Sequence, residues 1–166
     1  DTGVPLGKLS FVVSKLAEVP AGFNLNAKLV RPLQLRAEMA SDKRPIDWAT
    51  AELAVFGTLA LEGHPIRLSG QDCGRGTFSQ RHAILHDTVN EKRYCPIKNL
   101  SDDQAMVDVI NSPLSEAGVL GFDYGYSLDT PEGLTVWEAQ FGDFSNAAQV
   151  IIDQFITSAE DKWRRL

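Results

Sequence analysis

From Ile46 onward the chain alternates helical periods with short apolar runs, and this alternation restricts the fold more than any other feature of the sequence. Asp47 stands at a helix N-cap position ahead of the helix formers Ala49, Ala51, Leu53, Ala54, Leu59 and Leu61. Gly63 stops that run after Glu62. Ile66-Arg67-Leu68 follows as a short strand, and Met106-Val107-Asp108-Val109-Ile110 reads as a buried one. Ser115 caps a helix through Leu128, Leu134 to Trp137 forms a third strand, and Asn146 to about Lys162 reads as a last helix. Tyr94 to Ile97 fits either a short strand or a loop. The order helix, strand, helix, strand, helix implies an α/β fold: a three-layer sandwich whose mainly parallel sheet is covered on both faces.

The first 45 residues carry helical signals only. Leu6, Leu9, Val12, Val13 and Leu16 recur at helical spacing after Pro5, and Pro20-Ala21-Gly22 ends the run. A second helix spans roughly Ala27 to Ala40, with Pro32 expected near its start or at a kink. Ser41-Asp42-Lys43-Arg44-Pro45 is a polar break. Residues 1–45 are therefore expected to be a helical lead-in, and 46–166 the domain proper. The net charge of −6, with no cationic cluster except Lys162, Arg164 and Arg165, argues against a nucleic-acid partner. No apolar run is long enough to span a membrane, and the polar start Asp1-Thr2-Gly3 reads as lacking a leader. Cys73 and Cys95 read as reduced thiols, and no Cys or His pair has metal-ligand spacing, so no metal site is expected in the chain. These features together read as cytoplasmic.

In open parallel sheets, ligands sit beyond the carboxyl ends of the strands, near helix N-termini. Three segments are singled out: Ser69 to Asp72, Asn111 to Glu116, and Glu138 to Phe144, all expected on one edge. Glu116 lies in the first turn of a helix, where an acid either compensates the helix dipole or serves a ligand. Gly118, Gly121 and Gly125 thin one face of that helix, for tight packing or for close approach by another group. Phe141 and Phe144 occupy a loop, either as core anchors or as a stacking platform for a flat ring.

The segment Leu114-Ser115-Glu116-Ala117-Gly118-Val119-Leu120-Gly121-Phe122 resembles the glutamate segment of the pyrimidine-binding domain shared by transketolase and the 2-oxo acid dehydrogenases. Further stretches resemble the 2-oxoglutarate dehydrogenase group in particular: Lys43 to Trp48, Leu68 to Asp72, Arg75 to Ala83, and Trp137 to Phe144. Thr2 to Pro5 and Gly22-Phe23-Asn24 share that likeness. Departures are few: Ala117-Gly118 replaces an aromatic-Ala pair, and Asn146-Ala147-Ala148 replaces Asn-Gly-Ala.

The resemblance implies a thiamin-diphosphate-dependent enzyme that decarboxylates 2-oxoglutarate in the tricarboxylic acid cycle and passes the succinyl unit to a lipoyl group. It implies that Glu116 hydrogen-bonds the pyrimidine ring nitrogen and relays the proton that activates the cofactor. Phe144 matches the aromatic on the pyrimidine face, with Phe141 beside it, and Gln71 and Gln140 match polar positions lining the pocket. His82 is a candidate catalytic residue. Mg2+ and the diphosphate belong to a domain absent from this chain, so the chain alone is expected to be inactive. The implied partners are a second copy, as a homodimer, and a lipoyl-bearing succinyltransferase. The implied compartment is the bacterial cytoplasm, or the mitochondrial matrix in a eukaryote. Two other readings remain: the same domain of a pyruvate dehydrogenase or transketolase, and a non-catalytic dimerisation module.

Overall fold

The computed structural model describes residues 3–164. Asp1 and Thr2, on which the reading of the start rests, and Arg165 of the basic end lie outside the described residues. Three helices come first: α1 (Leu6–Leu16), α2 (Ala27–Ala40) and α3 (Trp48–Leu61). Next come β1 (Ile66–Gly70), a hairpin of β2 (Leu85–His86) and β3 (Arg93–Tyr94), a 3-10 turn at Pro96–Lys98, and β4 (Val107–Asn111). Then follow α4 (Glu116–Asp129) and β5 (Leu134–Glu138). Tyr94 to Ile97 thus divides between a strand end and a 3-10 turn. Asn26 caps α2, Asp47 caps α3 and Ser115 caps α4, each accepting from a backbone N–H inside its helix. Pro32 lies inside α2, where it can donate no hydrogen bond to the preceding turn.

The main sheet is parallel throughout, in the order β4-β1-β5. Central β1 pairs Ile66 with Val107 and Leu134, and Gly70 with Asn111 and Glu138, so the three strands end level. Side chains alternate across a strand. Ile66 and Leu68 join one apolar cluster with Leu53, Phe56 and Ala60 of α3 and with Val12, Val13 and Leu16 of α1. Arg67 and Ser69 point the other way, and both donate to Asp123 of α4, Arg67 through Nε at 2.8 Å. Helices therefore cover both faces, as the α/β three-layer expectation required. Gly57 lets α1 approach α3: a Cβ there would meet Val12 Cγ1 at 2.6 Å.

The tail departs from the expected single helix over Asn146 to Lys162. It winds as a 3-10 segment at Gly142–Ala148, one α-turn at Gln149–Ile151 (α5), and π-type turns at Ile152–Ile156 and Ala159–Trp163. Thr157 Oγ1 donates to Asp153 O, and both Ser158 Oγ and Trp163 Nε1 donate to Gln154 O. Such side-chain bonds compete for carbonyls that a regular helix would use.

The hairpin is tied to the amino-terminal segment through Asp87. Its buried carboxylate accepts from the backbone N–H groups of Asn24 (2.8 Å), Val89 (2.8 Å) and Asn90 (3.1 Å). These bonds hold its pKa at about 2, below the ordinary 3.8. A depressed carboxylate contributes stability in full above the unfolded value and loses it as pH falls through the folded one. Protection of the amides of residues 88–90 against exchange, relative to the unstructured chain at the same pH, should therefore fall as pH drops from about 4 toward 2. Asp87→Asn should remove that step, and an unchanged pH profile in the variant would contradict the assignment.

Candidate functional site

The level carboxyl ends of β1, β4 and β5 bring the three polar segments to one edge, as their parallel order demands. Beyond β1, Gln71 is half-buried and its Nε2 donates to Glu116 Oε1 at 3.5 Å, a long contact. Glu116 is the first residue of α4, where the exposed N–H groups and the dipole favour an anion. Ser112 N donates to Gly70 O at 2.9 Å, and Asn111 Oδ1 accepts from Gly74 N at 2.9 Å, so β4 anchors the loop that leaves β1.

Beyond β5, Phe141 and Phe144 meet edge to face, with centroids 5.8 Å apart. Phe78, 73% exposed, packs edge-on against Phe141 at 5.9 Å. Phe141 is itself 46% exposed, so the trio is an open aromatic surface rather than a core anchor. Gln140 is half-buried beside it in sequence. Phe78 joins them from the long polar segment, where a loop aromatic carries the same signal as Phe141 and Phe144.

The position of this aromatic loop depends on Arg81, whose side chain is only 2% exposed. Its Nε donates to Glu52 of α3 at 2.6 Å and its Nη1 to Cys73 O at 2.7 Å. Nη1 and Nη2 form a fork with the Glu138 carboxylate at the end of β5. Glu138 holds the guanidinium charged despite burial, moving its pKa above the ordinary arginine value. Arg36 of α2, also buried, donates to the Arg81 carbonyl. At Gly70 a Cβ would lie 2.3 Å from Glu138 O, and φ is +150°, so only glycine suits this approach of β1 to β5.

His82 stands apart from the Gln71–Glu116 pair. It has φ +44° and lines a cavity of about 680 Å³ with Asp72, Arg75 and Asn111. Burial, with the charges of Arg36 and Arg75, lowers its pKa. No hydrogen bond joins it to Glu116 among the described residues. A groove of about 740 Å³ along residues 98–107 opens at the amino end of β4, away from the carboxyl edge.

Of the α4 glycines, Gly121 lets Ile151 approach, whereas Gly125 faces open space. Cys73 and Cys95 are free thiols, each pushed by burial to a pKa of about 11, which makes them poor nucleophiles. Among the described residues no group of three His, Cys, Asp or Glu side chains could hold a metal ion, and no helix is long and apolar enough to cross a membrane.

Residues 44–166 match the family model described as transketolase, pyrimidine binding domain. The chain belongs to that family. Two curated proteins, from Brucella ovis and Brucella canis, are each 56% identical to it over 165 residues. One from Brucella melitensis biotype 2 is 55% identical over the same length. Each is named 2-oxoglutarate dehydrogenase E1 component, and each match covers 99% of this chain but 16% of the relative. The chain thus spans about a sixth of the length of these relatives.

Removing Arg81 leaves Glu138 and Glu52, 24% and 40% exposed, able to rehydrate in part, so the cost falls below that of a fully buried pair, at about 1–3 kcal/mol. Arg81→Met should lower stability by that order, measured as a shift in the urea-unfolding midpoint, and Arg81→Lys should recover only part of it because the fork to Glu138 is lost. Gly70→Ala should destabilise as well, by forcing β5 away from β1. A Gly70→Ala protein with an unshifted midpoint would show that Glu138 O does not press on Gly70.

Proposed function

We propose that this chain is the aminopyrimidine-binding part of a 2-oxoglutarate dehydrogenase decarboxylating component, an oxidoreductase that forms a succinyl group for transfer to lipoyl groups. The observation that carries the proposal is the meeting of Gln71 with Glu116 at the head of α4, on the sheet edge that also presents Phe141 and Phe144. A carboxylate, a neighbouring amide and open aromatic faces are the donor set suited to an aminopyrimidine ring. The likeness to Brucella proteins named as E1 components supports the same reading.

When bound, thiamin diphosphate supplies a thiazolium carbon that adds to the keto carbon and an electron sink for the bond that releases carbon dioxide. Glu116 holds and moves a proton at the pyrimidine ring nitrogen, and Gln71 orients its carboxylate. Phe144, with Phe141 at its edge, covers the ring face and excludes water, while Gln140 adds a polar wall. His82 serves as an acid–base group toward the substrate from the adjoining cavity. The magnesium ion and the diphosphate are held by residues outside this chain, and these 166 residues alone do not decarboxylate 2-oxoglutarate. Residues 1–45 act as a helical lead-in to the cofactor-binding part at 46–166. The full protein works as a homodimer with a lipoyl-bearing succinyltransferase in the bacterial cytoplasm.

The test is steady-state kinetics of the full-length protein. Glu116→Gln should reduce kcat by about 10²–10⁴, the range typical of a lost proton-transfer group. Phe144→Ala should weaken cofactor binding by about two- to tenfold, as expected for one aromatic contact. A Glu116→Gln enzyme with wild-type kcat would remove the proposed role.

A further inference from the structure

Glu116 carries the proposed chemistry, yet it heads a helix with little apolar anchorage. Val119 and Asp123 are the buried residues of α4, and the second is a carboxylate. Gly118, Gly121 and Gly125 offer no side chain to wedge the helix against its neighbours. Apolar burial is not directional, so Val119 by itself leaves α4 free to rotate and slide on the sheet. The bonds that can fix its orientation are polar.

Those bonds form a ladder between β1 and α4. Side chains alternate across a strand, so Arg67 and Ser69 share one face of β1. Arg67 Nε donates to Asp123 Oδ1 at 2.8 Å, and Ser69 Oγ donates to Asp123 Oδ2. Both Ser69 and Asp123 are buried, so water does not compete for the bond between them. The Arg67 guanidinium is steadied in turn by Phe122 and Tyr126 of α4, each ring centroid 4.9 Å away. Gln71 follows Ser69 by two residues, and its Nε2 reaches Glu116 Oε1 at 3.5 Å. Glu116 and Asp123 are seven residues apart, close to two helical turns, and so lie on one stripe of α4. The strand series 67, 69, 71 therefore meets the helix pair 116 and 123, one carboxylate as anchor and the other at the candidate site.

We propose that Asp123 is a positioning residue: clamped by Arg67 and Ser69, it sets the rotation and height of α4 so that the Glu116 carboxylate, two turns away, meets the pyrimidine ring nitrogen. Asp123 lies inside the β1–α4 interface and acts through Glu116 alone. The inference rests on the cofactor reading above.

The experiment is a double-mutant cycle in the full-length protein with magnesium present. Asp123→Asn removes the charge of the clamp at nearly constant shape, and Ser69→Ala removes one of its bonds while Arg67 stays paired. Ser69→Ala carries the cycle where Asp123→Asn does not fold. Each substitution is made in the wild type and in a Glu116→Ala background, which has no carboxylate left to position. Calorimetry gives the Kd for thiamin diphosphate, and steady-state kinetics give kcat and KM for 2-oxoglutarate. In the wild type each substitution should weaken cofactor binding about threefold, as expected for one misaligned hydrogen bond. It should also lower kcat about tenfold, as expected for a displaced reacting group, with KM unchanged. In the Glu116→Ala background the same substitutions should change Kd and kcat by less than about twofold. Equal effects in both backgrounds would show that Asp123 only supports the fold, and would overturn the proposal; so would a wild-type kcat and Kd in Ser69→Ala. A wild-type kcat in Glu116→Ala alone would instead remove the cofactor reading, and this proposal with it.

Discussion

A guanidinium removed from water must find oxygen partners or the fold around it fails, and the organisation of this domain's carboxyl edge follows from how Arg81 meets that demand. The side chain reaches α3 through Glu52, the end of β5 through Glu138, and its own loop through Cys73 O. Its carbonyl takes a bond from Arg36 of α2. Two helices, a strand end and the long crossover are thereby fixed to a single residue. Polar bonds at this depth are directional where apolar contacts are not, so they set the position of the loop carrying Phe141 and Phe144 as well as holding it.

The opposite face of the sheet repeats the device. Asp123 of α4, nearly inaccessible, receives Arg67 and Ser69 from alternate positions of β1. The Arg67 guanidinium also lies 4.9 Å from the ring centroids of both Phe122 and Tyr126. One strand thus carries an apolar face toward α3 and a charged face toward α4. The charged face fixes the rotation of α4, and with it the place of Glu116 at the helix head. Packing of small apolar side chains alone would leave that rotation less defined.

The candidate site was legible where its residues sit in local patterns. Ser115 before Glu116 marks a helix start, and the loop after Trp137 holds two aromatics that no amphipathic period explains. Phe78 carries the same signal, but it lies in a long polar segment without a neighbouring element to frame it. Arg81, Arg36 and Asp123 gave no such sign. A charged residue in a sequence reads as solvent-facing, and only the fold reveals that partners from distant segments surround it. The irregular tail was hidden for a related reason: Thr157, Ser158 and Trp163 bond back to carbonyls in a manner that hydrophobic periodicity does not register.

The sequence by itself determined the helices from α1 to α4, the three strands of the main sheet, the caps at Asp47 and Ser115, the parallel sense of the sheet and the set of loops that meet at its edge. These follow from local propensity, side-chain period and the rule that parallel strands need long crossover connections. Tertiary structure alone decided the strand order β4-β1-β5, the contact of Gln71 with Glu116, the separation of His82 into its own cavity and the burial of Arg81. Each of these depends on distances between residues far apart in the chain. Such distances are set by packing around a common core, which no local window of sequence contains.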